Sequence, residues 1–512
     1  MKIAINVSWM TPGKAGGMEW YVRALVDELA VIDESNEYVL ITSPLNDHTF
    51  SVASNKWKKL QYFGEETNPV SYRRLPTPHG NHNPPHLDQM LRAEGVGLLF
   101  CPLLYALPAI EDIPTVVTIP DLQHEALPEL FDDFELASRN VGFPDTVARA
   151  TAILGISEHV ASEVQRCYGV TEEKVIATPL GLSPDFETDA ALVEMYEQSA
   201  RVRYRLEGRY VLFPGNAWPH KNHVRLLEAF EQVVEKVPDL KLVLTGADAV
   251  ASLIPTRLRA SVDHLGYVSR EEIIGLTAGA SALVFPSRFE GFGLPLLEAM
   301  AVSTPILCSD IPTLREVGGD VPQYFDPEST SSIADAIVEF FESDENETRQ
   351  RQLMAAQLEK FNYRATALKT LEVFGEIERG QRKRPDSISR PNRPLDGRSE
   401  LNDGHARWRI QAPGLTSVEA EMVAVSHISD GRSRLPSVVA VSVDGVVIGE
   451  QRLEAGGTSR TFQAEVPTWL ASSSFHELEL HDVSHPYAKE ASAIRIVRLV
   501  VCESPDLEMR LV

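Results

Sequence analysis

Cysteine is scarce in this sequence of 512 residues, and its spacing excludes two classes of protein. The four cysteines are Cys101, Cys167, Cys308 and Cys502. No two of them lie at the short spacing of zinc ligands, and they are too few and too scattered for a disulfide framework. We therefore expect a protein of a reducing, cytoplasmic compartment.

Long hydrophobic runs are also missing. No stretch of about 18 apolar residues, the length of a membrane-spanning helix, occurs in the sequence. The N-terminal residues MKIAINVSWMTPG predict a short strand and a loop, not the apolar segment of a secretory signal. The remaining membrane-linked alternative is peripheral association with the inner face of the membrane.

Positive charge is in deficit, because 48 Lys and Arg face 73 Asp and Glu, a net charge of −25. Such an acidic chain is a poor non-specific binder of nucleic acid, although a local nucleotide site needs no basic surface. The motifs GxxxxGK[ST], GxGxxG, HExxH and Asp-x-Asp are absent as well. These absences argue against a P-loop, a dinucleotide fingerprint and a zinc-protease site, and we expect no metal.

What is present is a regular alternation of apolar strands and amphipathic helices, which predicts parallel sheets covered on both faces. We expect two doubly wound, Rossmann-like α/β domains facing a cleft, at 1–185 and 186–360, with a closing helix at 361–378. An Arg- and Pro-rich linker at 379–400 then leads to an all-β, sandwich-like domain at 401–512. Within that domain, Asp444-Gly445 between two apolar runs predicts a tight hairpin.

The densest chemical signal is the segment FPSRFEGFGLPLLEAMA, which starts at Phe285. A strand ends there, and Gly291 and Gly293 would let the backbone approach a ligand before a helix starts near Leu294. The amides at that helix start suit a phosphate, whereas Glu290 and Glu298 suit sugar hydroxyls. The alternative makes Glu290 a helix cap and Glu298 a solvated residue.

A second strand–turn–helix segment, FPGNAWPHKN, places Lys221 at a helix start. The helix dipole disfavours a cation there, so an anion is expected to share it. The bland alternative is an exposed lysine. His220 is a candidate for the same anion, or an ordinary surface histidine.

Two segments of the first domain also face the expected cleft. Gly16 and Gly17 lie between the first strand and the first helix, and Asp121 and His124 follow a strand end in IPDLQHE. We consider His124 a proton relay or sugar ligand, with a loop residue of no role as the alternative.

Together these segments resemble the retaining glycosyltransferases of the GT4 family, which have the two-domain GT-B architecture. Glu290 and Glu298 match that family's E-x7-E motif, and LGLSPDF, LGYVSREEI and SDIPTLREVGG also fit. The PHKN and DLQHE segments resemble a subgroup of bacterial O-antigen and exopolysaccharide mannosyltransferases. The resemblance covers roughly residues 1–380.

The resemblance implies a nucleotide-sugar donor, GDP- or UDP-linked with GDP-mannose favoured, and a glycan or lipid-linked acceptor. It also implies no metal, retention of configuration, and a peripheral membrane or polysaccharide-assembly partner as an option. The implied catalytic residues are Glu290, Lys221, His124 and Asp121. The implied donor-binding residues are Gly16, Gly17, Lys221, Tyr267, Val268, Gly291, Phe292, Gly293, Leu294 and Glu298. In this scheme Glu298 binds the ribose of the donor nucleotide and Lys221 binds its diphosphate. The backbone of Tyr267–Val268 recognises the base.

The sequence departs from the family at three places. Pro120 precedes Asp121 where many relatives have histidine, Asn216 or His220 stands where many have arginine, and Ser303 replaces a common glycine. These departures keep a second hypothesis open, that of a carbohydrate-binding or scaffold protein that acts through the β domain. A sugar-nucleotide epimerase or a phosphorylase of the same fold is a third.

Overall fold

The computed structural model describes most of the first 382 residues and part of the remainder. Residues 1–382 are described apart from 14–15, 52–54, 63–86, 107–109, 111, 132 and 344–346. Beyond residue 404, the backbone of eight strands is described.

The first domain is a parallel sheet of seven strands, ordered β3-β2-β1-β4-β5-β6-β7. Its central strands are buried along their whole length, as expected when helices cover both faces. The strands are β1 (Lys2–Asn6), β2 (Glu37–Thr42), β3 (Trp57–Gln61), β4 (Leu98–Cys101), β5 (Thr115–Ile119), β6 (Ala152–Gly155) and β7 (Val175–Ala177).

The second domain repeats this topology in a parallel sheet of six strands, ordered β10-β9-β8-β11-β12-β13. The first strand of each sheet pairs with the second on one side and the fourth on the other, which is the Rossmann order. The strands are β8 (Tyr210–Pro214), β9 (Lys241–Thr245), β10 (Val262–His264), β11 (Ala282–Phe285), β12 (Ile306–Ser309) and β13 (Gln323–Phe325). The prediction of two doubly wound domains is confirmed.

Thirteen α-helices of the described residues accompany the two sheets. They are α1 (Gly17–Ile32), α2 (Leu87–Ala93), α3 (Gln123–Ala126), α4 (Asp133–Arg149), α5 (Glu158–Tyr168), α6 (Ala190–Tyr204), α7 (His223–Lys236), α8 (Arg270–Ala278), α9 (Leu294–Ala301), α10 (Pro312–Gly318), α11 (Thr330–Glu342), α12 (Glu347–Leu358) and α13 (Tyr363–Glu378). Among the described residues, none of these helices has both the length and the apolar character needed to cross a bilayer.

The last helix, α13, returns to the first domain. The ring of Phe374 packs edge-on against Phe100, with centroids 5.5 Å apart. Thr366 donates a hydrogen bond from Oγ1 to the carbonyl of Pro179 at 2.5 Å, and Lys369 donates to the carbonyl of Ala177 at 3.2 Å. The chain therefore crosses between the two domains a second time, after its second sheet is complete.

The C-terminal segment forms two antiparallel sheets of four strands each, ordered β14-β19-β16-β17 and β18-β15-β20-β21. The strands are β14 (His405–Gln411), β15 (Ser417–Val425), β16 (Ser437–Val443), β17 (Val446–Leu453), β18 (Arg460–Glu465), β19 (Phe475–Asp482), β20 (Ala493–Ser504) and β21 (Leu507–Leu511). β16 and β17 pair from Val443 and Val446 outward, as the hairpin prediction requires. The turn 444–445 and linker residues 383–400 lie outside the described residues.

Candidate active site

The candidate site lies where two loops of the second domain meet. One loop follows β8 and ends in a short 3-10 turn, Pro219–Lys221, before α7. The other follows β11 and leads into α9. β8 and β11 are neighbours at the centre of the sheet, where the strand order reverses, and ligands of doubly wound sheets bind beyond the strand ends at that point.

Lys221 and Glu290 form an ion pair between these loops, with Nζ and Oε1 2.6 Å apart. The two side chains are only 20% and 12% exposed, so little water screens their attraction. Lys221 also lies 5.3 Å from the centroid of the Phe285 ring, within cation–π range. Lys221 therefore has a carboxylate partner, which the sequence did not predict.

Glu298 lies in α9 and contacts Arg270, the first residue of α8. The guanidinium donates from Nη2 to Oε1 of Glu298 at 3.2 Å. Burial raises the pKa of the Glu298 carboxyl, and the nearby Arg270 charge opposes that rise. Glu298 is thus a buried acceptor, not the solvated residue of the alternative reading.

The start of α9 depends on Gly293. Its φ is +118°, and a Cβ there would lie 2.7 Å from Cδ2 of Leu314. No side chain caps this helix start, where Pro295 has no N–H and the N–H of Leu296 donates to the carbonyl of Gly293 at 2.9 Å, so the positive end of the helix offers an anion the N–H of Leu294. Phe292 is buried, and its ring packs edge-on against Phe361 at 5.6 Å, so only its backbone can contribute to binding.

The first domain closes over these loops. A Cβ at Gly291 would lie 2.0 Å from the carbonyl oxygen of Pro120 and 3.3 Å from Cβ of Asp121. A Cβ at Gly17 would lie 2.9 Å from Cδ1 of Leu294. Gly16 has a φ of +57° at the turn before α1. The structure therefore brings the predicted glycines of both domains, and Asp121, to one interface.

Tyr267 and Val268 follow β10 at the sheet edge, and Tyr267 is 74% exposed. Their loop reaches the site through Arg270, which contacts Glu298. Recognition of the base by the backbone of this loop, which the resemblance implies, stays a prediction.

His124 does not reach the cleft, contrary to our expectation. Its side chain has no exposed surface, its Nε2 lies 3.3 Å from the Tyr168 hydroxyl, and its ring centroid is 4.3 Å from that of Phe143. The physical reason is that α3 begins at Gln123 and turns the histidine into the domain interior. The role of His124 in this arrangement is packing.

A different histidine borders the site, namely His220. Gln123 donates from Nε2 to its Nδ1 at 2.8 Å, which joins the two domains beside Lys221. Burial, with a smaller contribution from the Lys221 charge, lowers the pKa of His220 to about 4, so the ring is neutral at pH 7. The sequence analysis named His220 only as a further candidate for the anion expected at Lys221. Its position next to Lys221 was the only signal that it borders the site.

Two further interdomain contacts escaped sequence reasoning altogether. The Glu316 carboxylate accepts the backbone N–H groups of Glu158 and His159, at 2.8 and 2.9 Å, and so caps α5 from the other domain. Ser157 donates from Oγ to the carbonyl of Gly291 at 2.9 Å. No local pattern in the sequence connects these residues.

Comparisons with known proteins find glycosyltransferases among the proteins that this chain resembles. Residues 196–357 match the family model "Glycosyl transferases group 1". The O-antigen chain mannosyltransferase B of Escherichia coli is 27% identical over 269 residues, which cover 51% of this chain and 69% of that protein. The O-antigen chain mannosyltransferase RfbU of Salmonella typhimurium is 30% identical over 196 residues, covering 38% of this chain and about half (51%) of the relative's length.

Solved structures agree on the fold. The sucrose-phosphate synthase of Thermosynechococcus elongatus superposes with a TM-score of 0.58 at 19% identity, covering 74% of this chain and 100% of that chain. At that identity the likeness concerns the fold, in which two Rossmann-like domains face each other. The second domain, with its E-x7-E glutamates, therefore belongs to the group 1 glycosyltransferases of the GT4 type, and the two Rossmann-like domains together have the GT-B fold.

Proposed function

We propose that this glycosyltransferase moves mannose from a nucleotide-sugar donor, GDP-mannose, to a glycan or lipid-linked acceptor with retention of configuration. The names of the two relatives, both O-antigen chain mannosyltransferases, support the sugar and the setting, which is surface polysaccharide synthesis. The donor base follows from the subgroup resemblance.

The observation that carries the proposal is the Lys221–Glu290 pair next to the uncapped start of α9. A departing nucleoside diphosphate carries negative charge, which a lysine ammonium and the positive end of a helix stabilise in a site with little water. When the diphosphate shares Lys221, Glu290 gains a free acceptor for a donor-sugar hydroxyl. These groups supply positive charge without a metal, and we propose a metal-independent reaction.

Retention follows from substitution on one face of the sugar. The bond from the anomeric carbon to the diphosphate oxygen breaks, and a bond to the acceptor oxygen forms on the same face. The acceptor proton passes to the departing diphosphate. Asp121 accepts the backbone N–H of Gln123 at Oδ1, at 3.0 Å, and faces Gly291 from the first domain. We propose that it binds a sugar hydroxyl.

Thermal unfolding with GDP, UDP and ADP tests donor binding first. A nucleotide at about 100 times its dissociation constant should stabilise the protein by about 2.7 kcal/mol. We expect GDP to stabilise the wild type and Lys221→Ala to lose that effect. Lys236→Ala is the matched control, since Lys236 lies at the far end of α7, 57% exposed. Transfer from GDP-mannose, with and without EDTA, and the anomeric configuration of the product then test the chemistry.

The scaffold hypothesis is not favoured, because the Lys221–Glu290 and Arg270–Glu298 pairs are both assembled. It predicts that no nucleotide stabilises the wild type. Stabilisation by UDP instead of GDP would overturn the GDP-mannose assignment and keep the transferase.

A further inference from the structure

Arg270 connects several parts of the donor cleft, although no sequence motif singled it out. Its guanidinium donates from Nη2 to both Glu298 and the Ser183 hydroxyl, at 3.2 and 2.9 Å. It donates from Nε to Oδ2 of Asp185 at 3.0 Å. These three acceptors hold the side chain, which is 29% exposed, in one orientation.

The same guanidinium also lies between aromatic rings of two different segments. It is 4.8 Å from the ring centroid of Trp20, in α1 of the first domain, and 5.2 Å from that of Phe186. Both distances fall in the cation–π range. Trp20 follows the Gly16–Gly17 turn by one helical turn, so Arg270 links the first domain's glycine loop to Glu298.

The surroundings of Glu298 explain why such a partner matters. Burial raises the pKa of this carboxyl, and the nearby charge of Asp185 raises it further, whereas Arg270 lowers it. Besides Arg270 and Asp185, the charged or titratable group close to Glu298 is Tyr363 of α13. Its buried hydroxyl has no hydrogen-bond partner among the described residues. Arg270 is therefore the group that favours the carboxylate form.

We propose that Arg270 is a positioning residue, which holds the Glu298 carboxylate in the orientation that binds the nucleotide ribose. The inference rests on the proposed function, in which Glu298 accepts hydrogen bonds from the ribose hydroxyls. Arg270 does not itself contact the donor. Its planar guanidinium contacts Asp185 and Ser183 and at the same time holds Glu298. A lysine ammonium reproduces this geometry only in part.

The test is the ability of the protein to distinguish ribose from dideoxyribose. We expect wild type to bind GDP about tenfold or more tightly than 2′,3′-dideoxy-GDP, because a hydrogen bond to a charged group is lost with the hydroxyls. In Arg270→Gln this ratio should fall to about two, with GDP affinity reduced about fivefold and dideoxy-GDP affinity nearly unchanged. Arg270→Lys should restore part of the ratio.

The pH profile adds a second readout. Without the Arg270 charge, burial dominates and the pKa of Glu298 rises further, so the carboxyl takes up its proton at higher pH. GDP affinity should therefore begin to fall at a higher pH in Arg270→Gln than in wild type as the solution is acidified. A merely structural role would lower the melting temperature and leave this midpoint in place.

Controls separate the possible outcomes. Arg203→Gln removes an Arg–Glu pair on the outer side of α8, where Arg203 contacts Glu272 at 2.8 Å, and should change neither readout. If Arg270→Gln does not fold, Asp185→Asn, which removes one anchor of the guanidinium, should give a smaller loss of the same ratio. An unchanged ratio in folded variants would overturn this inference alone, whereas a wild type that binds no nucleotide would remove the proposed function as well.

Discussion

At the scale of single residues, Gly291 shows how closely the two domains approach. Its missing Cβ leaves room for the carbonyl of Pro120, and its own carbonyl accepts from Ser157. The φ of Gly291 is not among the positive values, so its conformation does not demand glycine. Glycine is required here because the two backbones approach closely. The E-x7-E motif therefore carries an interdomain contact as well as its two carboxylates.

Gly291→Ala should reduce transfer activity by about 100-fold, because a displacement of about 1 Å at the reacting centre costs that much. The added Cβ would lie 2.0 Å from a backbone oxygen, so the domains must separate. Steady-state kinetics and small-angle scattering would measure the loss and the opening. Gly97→Ala is the control, since its Cβ would meet the nearest atom, the carbonyl oxygen of Lys2, at 3.8 Å. Wild-type activity in Gly291→Ala would contradict the closed arrangement.

At the scale of secondary-structure elements, α5 and α10 connect the domains through a helix terminus. The positive end of the α5 dipole and its free amides face the Glu316 carboxylate of α10. Ser157, the N-cap of α5, accepts from the backbone of Val160 while it donates to Gly291. One helix start thus joins the α10 helix and the donor loop.

Glu316→Ala should weaken closure by about 1 kcal/mol, the value of a helix-capping interaction, and raise the donor KM by about fivefold. The difference in donor KM between wild type and Glu316→Ala should shrink with added salt, since the contact between the Glu316 carboxylate and the α5 amides is electrostatic. Glu163→Gln is the control, because Glu163 pairs with Arg166 within α5 itself. Equal donor KM values for Glu316→Ala and wild type would refute a role in closure.

At the scale of the whole molecule, α13 completes the first domain from the far end of the second. Its inward face buries four apolar side chains almost completely: Ala367, Val373, Phe374 and Ile377. Each large one stabilises the fold by about 1.5–3 kcal/mol, against a net stability of only about 5–15 kcal/mol. The first domain therefore depends on residues that lie between 186 and 201 positions beyond Ala177, the last residue of β7, since α13 spans Tyr363–Glu378.

A chain that ends at Arg382 should keep its nucleotide binding, whereas one that ends at Asn362 should not. The first retains α13 and both Rossmann-like sheets, and the second exposes the surface that Phe374 covers. Circular dichroism melts and nucleotide titration of both chains would measure the difference. Loss of nucleotide binding in the longer chain would show that the residues after 382 support the donor cleft.

The sequence by itself determined the elements, the fold class and most of the second domain's site. Apolar periodicity, turn glycines and helix starts are local properties, so they predicted both parallel sheets, the hairpin strands around 444–445 and the loops that carry Lys221 and Glu290. These loops follow strands, and strand ends of a parallel sheet share one edge, so their meeting could be expected from the pattern alone.

Only the tertiary structure decided which side chains are partners. Lys221 and Glu290 are 69 positions apart, Arg270 and Glu298 are 28, and Gln123 and His220 are 97. Such pairs depend on how loops turn and how domains close, which local periodicity does not encode. His124 illustrates the reason: a strand end predicted the cleft, but the first residues of α3 rotate its ring into the core, and His220 of the other domain borders the site instead.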